Sequence, residues 1–161
     1  MTVSPFVRLA AACAALATTL PAFAAATESL GPVVLTRAHG EPTAIWDATS
    51  DLTTILGTKP SAEETLRRLE ADAVTVLVQK AKSVKPDEKW LTVQAIYQRS
   101  GAVSPAYQTA TFLGVEHLFT LKAAVADADA NAAAWSAQLK SGKVPSGVTI
   151  SVTGKLPPEL K

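Results

Sequence analysis

The chain has one cysteine in 161 residues, and that residue, Cys13, lies close to the N-terminus. From Ala25 onward there is no thiol. Disulfide staples, a cysteine nucleophile and thiolate metal ligands are therefore excluded from that part of the chain. Charge of one sign is also missing, because 15 Lys and Arg stand against 14 Asp and Glu. Interspersed, balanced charge argues against nucleic acid or an anionic membrane surface as partner. The 8 glycines are scattered and form no phosphate-cradling loop. There is no G-x-S-x-G elbow and no S-x-x-K pair.

A long hydrophobic run is absent too. Leu9 to Leu20 is uncharged for about a dozen residues, whereas a membrane span needs roughly 20. What surrounds that run is informative. Arg8 precedes it, and Pro21-Ala22-Phe23-Ala24 follows, with small residues two apart. This is the layout of a secretory signal peptide with an A-x-A cleavage site. The expectation is a leader over residues 1–24, cut after Ala24, and a single small α+β domain over 25–161 in the periplasm or outside the cell. Arg8 is the only charge in the leader, so the remainder is electrically neutral. A chain of that size buries roughly two-thirds of its unfolded surface and needs no staple.

Hydrophobic periodicity supplies the elements. Val33-Val34-Leu35, between Gly31-Pro32 and His39-Gly40, reads as a short strand. Glu41 to Pro60 reads as a short helical turn followed by a loop. Ser61-Ala-Glu-Glu64 is a capping box opening a helix from Ala62 to about Lys82, with Leu66, Leu69, Ala73, Val76 and Leu77 on its core stripe. Trp90 to Gln98 alternates as a half-buried strand, with Leu91, Val93, Ala95 and Tyr97 on one face. A loop over Arg99–Pro105 and a strand over Tyr107–Leu113 follow. Gly114 marks a bulge, and a further strand runs to Val125, with His117 on its apolar face; the alternative over this stretch is a helix, since Leu118, Leu121, Val125, Ala128, Ala132, Trp135 and Leu139 fit a seven-residue repeat. A helix from about Ala130 to Ser141 ends on Gly142 as left-handed cap, and a last strand spans Val148–Thr153. The simplest arrangement is an antiparallel sheet of four to five strands with two helices on one face, as in a ferredoxin-like split βαβ.

Candidate site residues are few. His39 beside Glu41 and His117 beside Glu116 offer four N/O ligands for zinc or copper if their strands adjoin. Asp127-Ala-Asp129-Ala-Asn131 imitates the start of a calcium loop, but Ala132 stands where glycine is needed and Gln138 where a bidentate glutamate is needed. Trp46 and Asp47, in the irregular segment, and Arg99 and Tyr107, bounding the long loop, are the candidate ligand-binding residues. No cofactor is implied. These features point to an exported, non-catalytic small domain that binds an envelope protein or a small ligand. One alternative is a metal-assisted or serine-type hydrolase centred on His39 and His117. Another is a structural subunit that associates through an edge strand, with Val148–Thr153 as that edge.

Overall fold

A computed structural model describes residues 30–37, 40–98 and 114–153. The leader, His39, the Arg99–Pro105 loop, the Tyr107–Leu113 strand and Pro157-Pro158 lie outside the described residues.

The elements run β1 (Val33–Thr36), β2 (Thr43–Asp47), α1 (Thr49–Gly57), α2 (Ala62–Ala81), β3 (Trp90–Gln98), β4 (Val115–Ala124), α3 (Val125–Lys140) and β5 (Val148–Val152). The class is α+β. The strands form one mixed sheet in the order β1-β2-β3-β4-β5. All neighbours are antiparallel except β2 and β3, which are parallel and joined across α1 and α2. The split expected from the sequence is absent, because β2 and β3 are direct neighbours.

Two expected boundaries change. Thr43–Asp47 is a strand where a turn was expected, and Thr49–Gly57 is a complete helix. Ala44, Ile45 and Trp46 are consecutive apolar residues in a 5-residue segment, which gives no period-2 signal in the sequence. The last helix starts at Val125 rather than near Ala130. Ala124 supplies no side-chain cap, and the Val125 N–H donates instead to the Lys89 carbonyl at 2.9 Å. Asp127 then lies in the first turn, where the helix dipole favours an anion.

Helix α2 forms as its sequence demands. The Ser61 hydroxyl accepts from the Glu64 N–H at 3.1 Å. The Glu64 carboxylate does not reach back, because Arg68 holds it one turn ahead, as Arg67 holds Glu63. The buried stripe includes Leu69, Ala73, Val76 and Leu77, with Thr65 and Val74 widening it. That breadth lets α2 pack on the sheet and on α3 together. Helix α3 ends as expected: the Lys143 N–H donates to Gln138 O and the Gly142 N–H to Leu139 O, with Gly142 at φ 78.

The helices cover one face of the sheet. Ala44, Trp46, Leu91, Val93, Ala95, Phe119, Leu121 and Ala123 point into one hydrophobic core with Leu52, Leu69, Leu77, Trp135 and Leu139. The other face carries Thr43, Ile45, Thr92, Gln94, Ile96, Thr120 and Lys122, all half-buried, and no helix among the described residues packs on it. At the end of β2 the chain closes tightly. A Cβ on Gly31 would meet the Asp47 carbonyl oxygen at 1.9 Å, and the Gly31 N–H donates to Asp51 at 3.0 Å.

Candidate functional site

The exposed tryptophan among the described residues follows from the phase of β3. Leu91, Val93, Ala95 and Tyr97 take the core face, so Trp90, Thr92, Gln94 and Ile96 take the open one. Trp90 is 46% exposed, while Trp46 is 0% and Trp135 5% exposed. The neighbouring strand brings Lys122 opposite Thr92, one register step from Trp90. Its ammonium lies 5.8 Å from the centroid of the Trp90 ring and 2.7 Å from Glu41 Oε2. A cation over an exposed indole contributes about 0.5–1 kcal/mol, and an exposed ion pair a similar amount or less. Together they fix one polar side of the ring.

Beside the ring lies a recess of about 500 Å³ walled by Val84, Pro86, Trp90, Ala124 and Val125. That size lies within the range of small-ligand pockets, about 300–1,000 Å³. Its rim is rigidly held. Glu88 Oε1 accepts from Arg37 Nε at 2.5 Å and Oε2 from Arg37 Nη2 at 3.0 Å. The Lys85 N–H adds a third bond to Oε2 at 2.7 Å. The Arg37 hydrogen bond, followed by the Lys85 N–H, holds the Glu88 carboxyl down to about pKa 2. Arg37 follows β1, so this bidentate pair ties the sheet edge to the loop that forms one wall of the recess.

Of the described residues singled out from the sequence, Glu41 reaches this site through Lys122, while Trp46, Asp47, Glu116 and His117 stand elsewhere. Trp46, a candidate ligand-binding residue, fills the core on the inner face of β2. The reason is that its segment is a strand and its side chain shares the phase of Ala44. Its indole Nε1 is buried without a hydrogen-bond partner among the described residues. Asp47 braces the corner between β2 and α1: it accepts from the Thr49 N–H at 3.1 Å, the Thr49 hydroxyl at 2.6 Å and Gln98 Nε2 at 2.6 Å. Arg99, Tyr107 and His39 lie outside the described residues.

His117 is on the open face, not the apolar one. The ladder shifts at Ala95/Ile96, so Phe119 pairs with Ala95 but His117 with Ile96, and Leu118 is left over. This is a bulge, four residues beyond Gly114, where the sequence suggested one. Leu118 and Phe119 are both buried as a result, and every residue before them changes face. The Gln94 amide nitrogen lies 2.8 Å from the exposed His117 ring nitrogens. Glu116 pairs in register with Tyr97. Glu41 stands beyond Thr43, which is level with Thr92, whereas His117 is level with Ile96. At about 3.3 Å per residue, more than about 13 Å of strand separates Glu41 from His117. No group of three metal-ligating side chains occurs among the described residues.

Two further recesses lie among the helices. One of about 480 Å³, between α1 and α2, contains Arg67 and Arg68, whose charges are already taken by Glu63 and Glu64. The other, about 420 Å³, is an apolar seam of Val74, Val78, Ala132 and Ala133 between α2 and α3. Sequence reasoning overlooked Trp90 and Lys122, although the alternation of β3 already put Trp90 on the polar face. Among the described residues no helix is long and apolar enough to cross a membrane. Comparison with protein-family models, curated proteins and solved structures finds no match.

Proposed function

We propose that this chain is an exported, non-catalytic binding domain whose small ligand docks against Trp90. The observation that carries this reading is the half-exposed indole at the mouth of a recess of about 500 Å³. Leaving a large aromatic surface in water forgoes about 25 cal/mol for every Å² that burial would have removed. A ligand recovers that free energy when it covers the ring. The contact with Lys122 restrains the ring, which lowers the conformational entropy lost on binding. The ligand that fits has a flat apolar face for the indole and a polar edge for Lys122 and Glu41. The exported location rests on the leader over residues 1–24.

The test is native mass spectrometry of protein released gently from the cell envelope. A small-molecule adduct is expected on the wild type and should be lost in Trp90→Ala. An adduct that persists unchanged in Trp90→Ala, or a wild type that carries and accepts none, would refute the reading. N-terminal sequencing of the same sample should start at Ala25, and a chain still beginning at Met1 would refute the export.

A further inference from the structure

We infer that this chain pairs with a second copy of itself through β5, antiparallel, with the two-fold axis at Ile150. Two five-stranded sheets then join into one continuous sheet. This is independent of the Trp90 recess, which lies at the junction of β3 and β4.

The direction of the peptide groups comes first. The Thr153 N–H donates to the Leu118 carbonyl at 3.1 Å, and Val152 is in register with Phe119. In an antiparallel ladder, residues that exchange both bonds alternate with residues that exchange none. Thr149, Ser151 and Thr153 therefore turn their peptide groups toward β4. Val148, Ile150 and Val152 turn theirs toward the open edge. The Val148 N–H is used by the Pro145 carbonyl at 3.2 Å. The Ile150 and Val152 groups face outward, and no strand among the described residues lies beyond β5.

The chemistry of the strand then selects the occupant. An unpaired strand edge takes another strand, and natural edges are usually protected by lysine, proline or a bulge. Val148-Thr-Ile-Ser-Val152 has none of these, and no charge occurs from Val144 to Thr153. The segment is also symmetric in character about Ile150. A two-fold there sets Ile150 against Ile150, Val148 against Val152, and Thr149 against Ser151. Every apolar side chain then meets an apolar one on the helix side, and every hydroxyl meets a hydroxyl on the open side. Ile150 exchanges both backbone bonds with its mate, and each Val152 N–H reaches the Val148 carbonyl of the other copy. Val152, 45% exposed in one copy, is covered by Val148 of the other.

The opposite edge does not offer this. In β1 a two-fold at Val34 brings Pro32 into the ladder, and one at Leu35 brings two Arg37 side chains into it. The pairing at β5 is small in area, so the dimer forms at high protein concentration rather than permanently.

Sedimentation equilibrium of the purified protein should show monomer and dimer exchanging with concentration. Ile150→Pro deletes the outward N–H while sparing every bond to β4. It should weaken association about 30-fold, since each copy loses one intermolecular bond. Trp90→Ala should leave association unchanged. In a Cys13→Ser background, Ile150→Cys should cross-link to itself on mild oxidation, because paired Cα atoms about 5.5 Å apart suit a disulfide. That second measurement decides the matter if Ile150→Pro does not fold. A monomer at every concentration up to about 1 mM, association insensitive to Ile150→Pro, or Ile150→Cys joining to Val34→Cys of another copy instead of to itself would each overturn the two-fold pairing.

Discussion

The Lys122 ammonium lies 5.8 Å from the centroid of the Trp90 ring, on the face of the sheet that no described helix covers. Of the three tryptophans, Trp90 is the one open to solvent. Acrylamide should therefore quench Trp90 emission and leave that of Trp46 and Trp135 little affected. Trp90→Phe should abolish most of the quenchable fraction. Lys122→Met removes the charge beside the indole and keeps the length of the side chain. The cost in stability should stay below about 1 kcal/mol, as befits an exposed cation–ring contact. Quenching that survives in Trp90→Phe would show that the exposure is assigned to the wrong residue.

Trp46 makes the opposite case. Its side chain is fully buried, but its Nε1 has no partner among the described residues. Trp46→Ala should cost about 3–5 kcal/mol through loss of contact and the cavity left behind. Trp46→Phe should cost far less than the lost volume suggests. It removes the indole donor, whose unpaired burial carries a penalty of about 1–3 kcal/mol. Urea unfolding of the two variants separates these effects. Equal losses would mean that the indole N–H is in fact satisfied.

These two tryptophans also show how far the fold was legible in the sequence. Long elements with a clean period were readable: α2 from its cap and stripe, and β3 from its alternation. That same alternation also puts Trp90 on the open face, although it was not singled out. Trp46 did not, because β2 is only 5 residues long and its neighbours Asp47, Thr49 and Ser50 read as a loop. The parallel pairing of β2 with β3 depended on recognising that strand, so the topology was missed with it. His117 was misplaced for a different reason. A bulge is a mismatch between two strands, and nothing in either strand alone announces that Leu118 is the residue left over. The metal and loop candidates His39, Arg99 and Tyr107 lie outside the described residues.

Gly31 has no unusual dihedral, yet it should be hard to replace. A Cβ there would sit 1.9 Å from the Asp47 carbonyl oxygen, a backbone atom that cannot swing aside. The same carbonyl region is pinned, since the Asp47 N–H donates to Pro32 O at 2.9 Å and the Ala48 N–H to Ile96 O at 2.9 Å. Gly31→Ala should destabilise by about 1–3 kcal/mol, the range of forced overpacking. A denaturation midpoint equal to wild type would show that β1 moves away freely.

Glu70 sits half-buried on α2, and burial raises its pKa, an effect that Arg67 opposes. A carboxyl with a raised folded pKa stabilises the fold while protonated, and that contribution is lost as pH rises through the folded pKa. At pH 7 the charged form is therefore a modest liability. Glu70→Gln should raise stability by about 0.5 kcal/mol or less at pH 7, and the gain should vanish near pH 4. Loss of stability at pH 7 would show that the pairing with Arg67 outweighs the desolvation.

Glu88 has the opposite sign. Its carboxyl is held to about pKa 2 by the Arg37 guanidinium and the Lys85 N–H. In the unfolded chain a glutamate titrates at about 4.3. The folded state then binds fewer protons than the unfolded state between these values, so stability falls as acid is added. The contribution of this pair is complete above about pH 5 and disappears as pH drops toward 2. Glu88→Gln and Arg37→Ala should each be less stable than wild type at pH 7, and the gap should close progressively below pH 4. Urea titrations at pH 7, 4 and 2.5 measure it. The same two variants should loosen the loop carrying Pro86, which Glu88 fastens to the end of β1, and hydrogen exchange at Lys85 should speed up while that in α2 does not. A stability gap that stays constant down to pH 2.5 would mean that the pair acts through packing alone and that Glu88 titrates like an unpaired side chain.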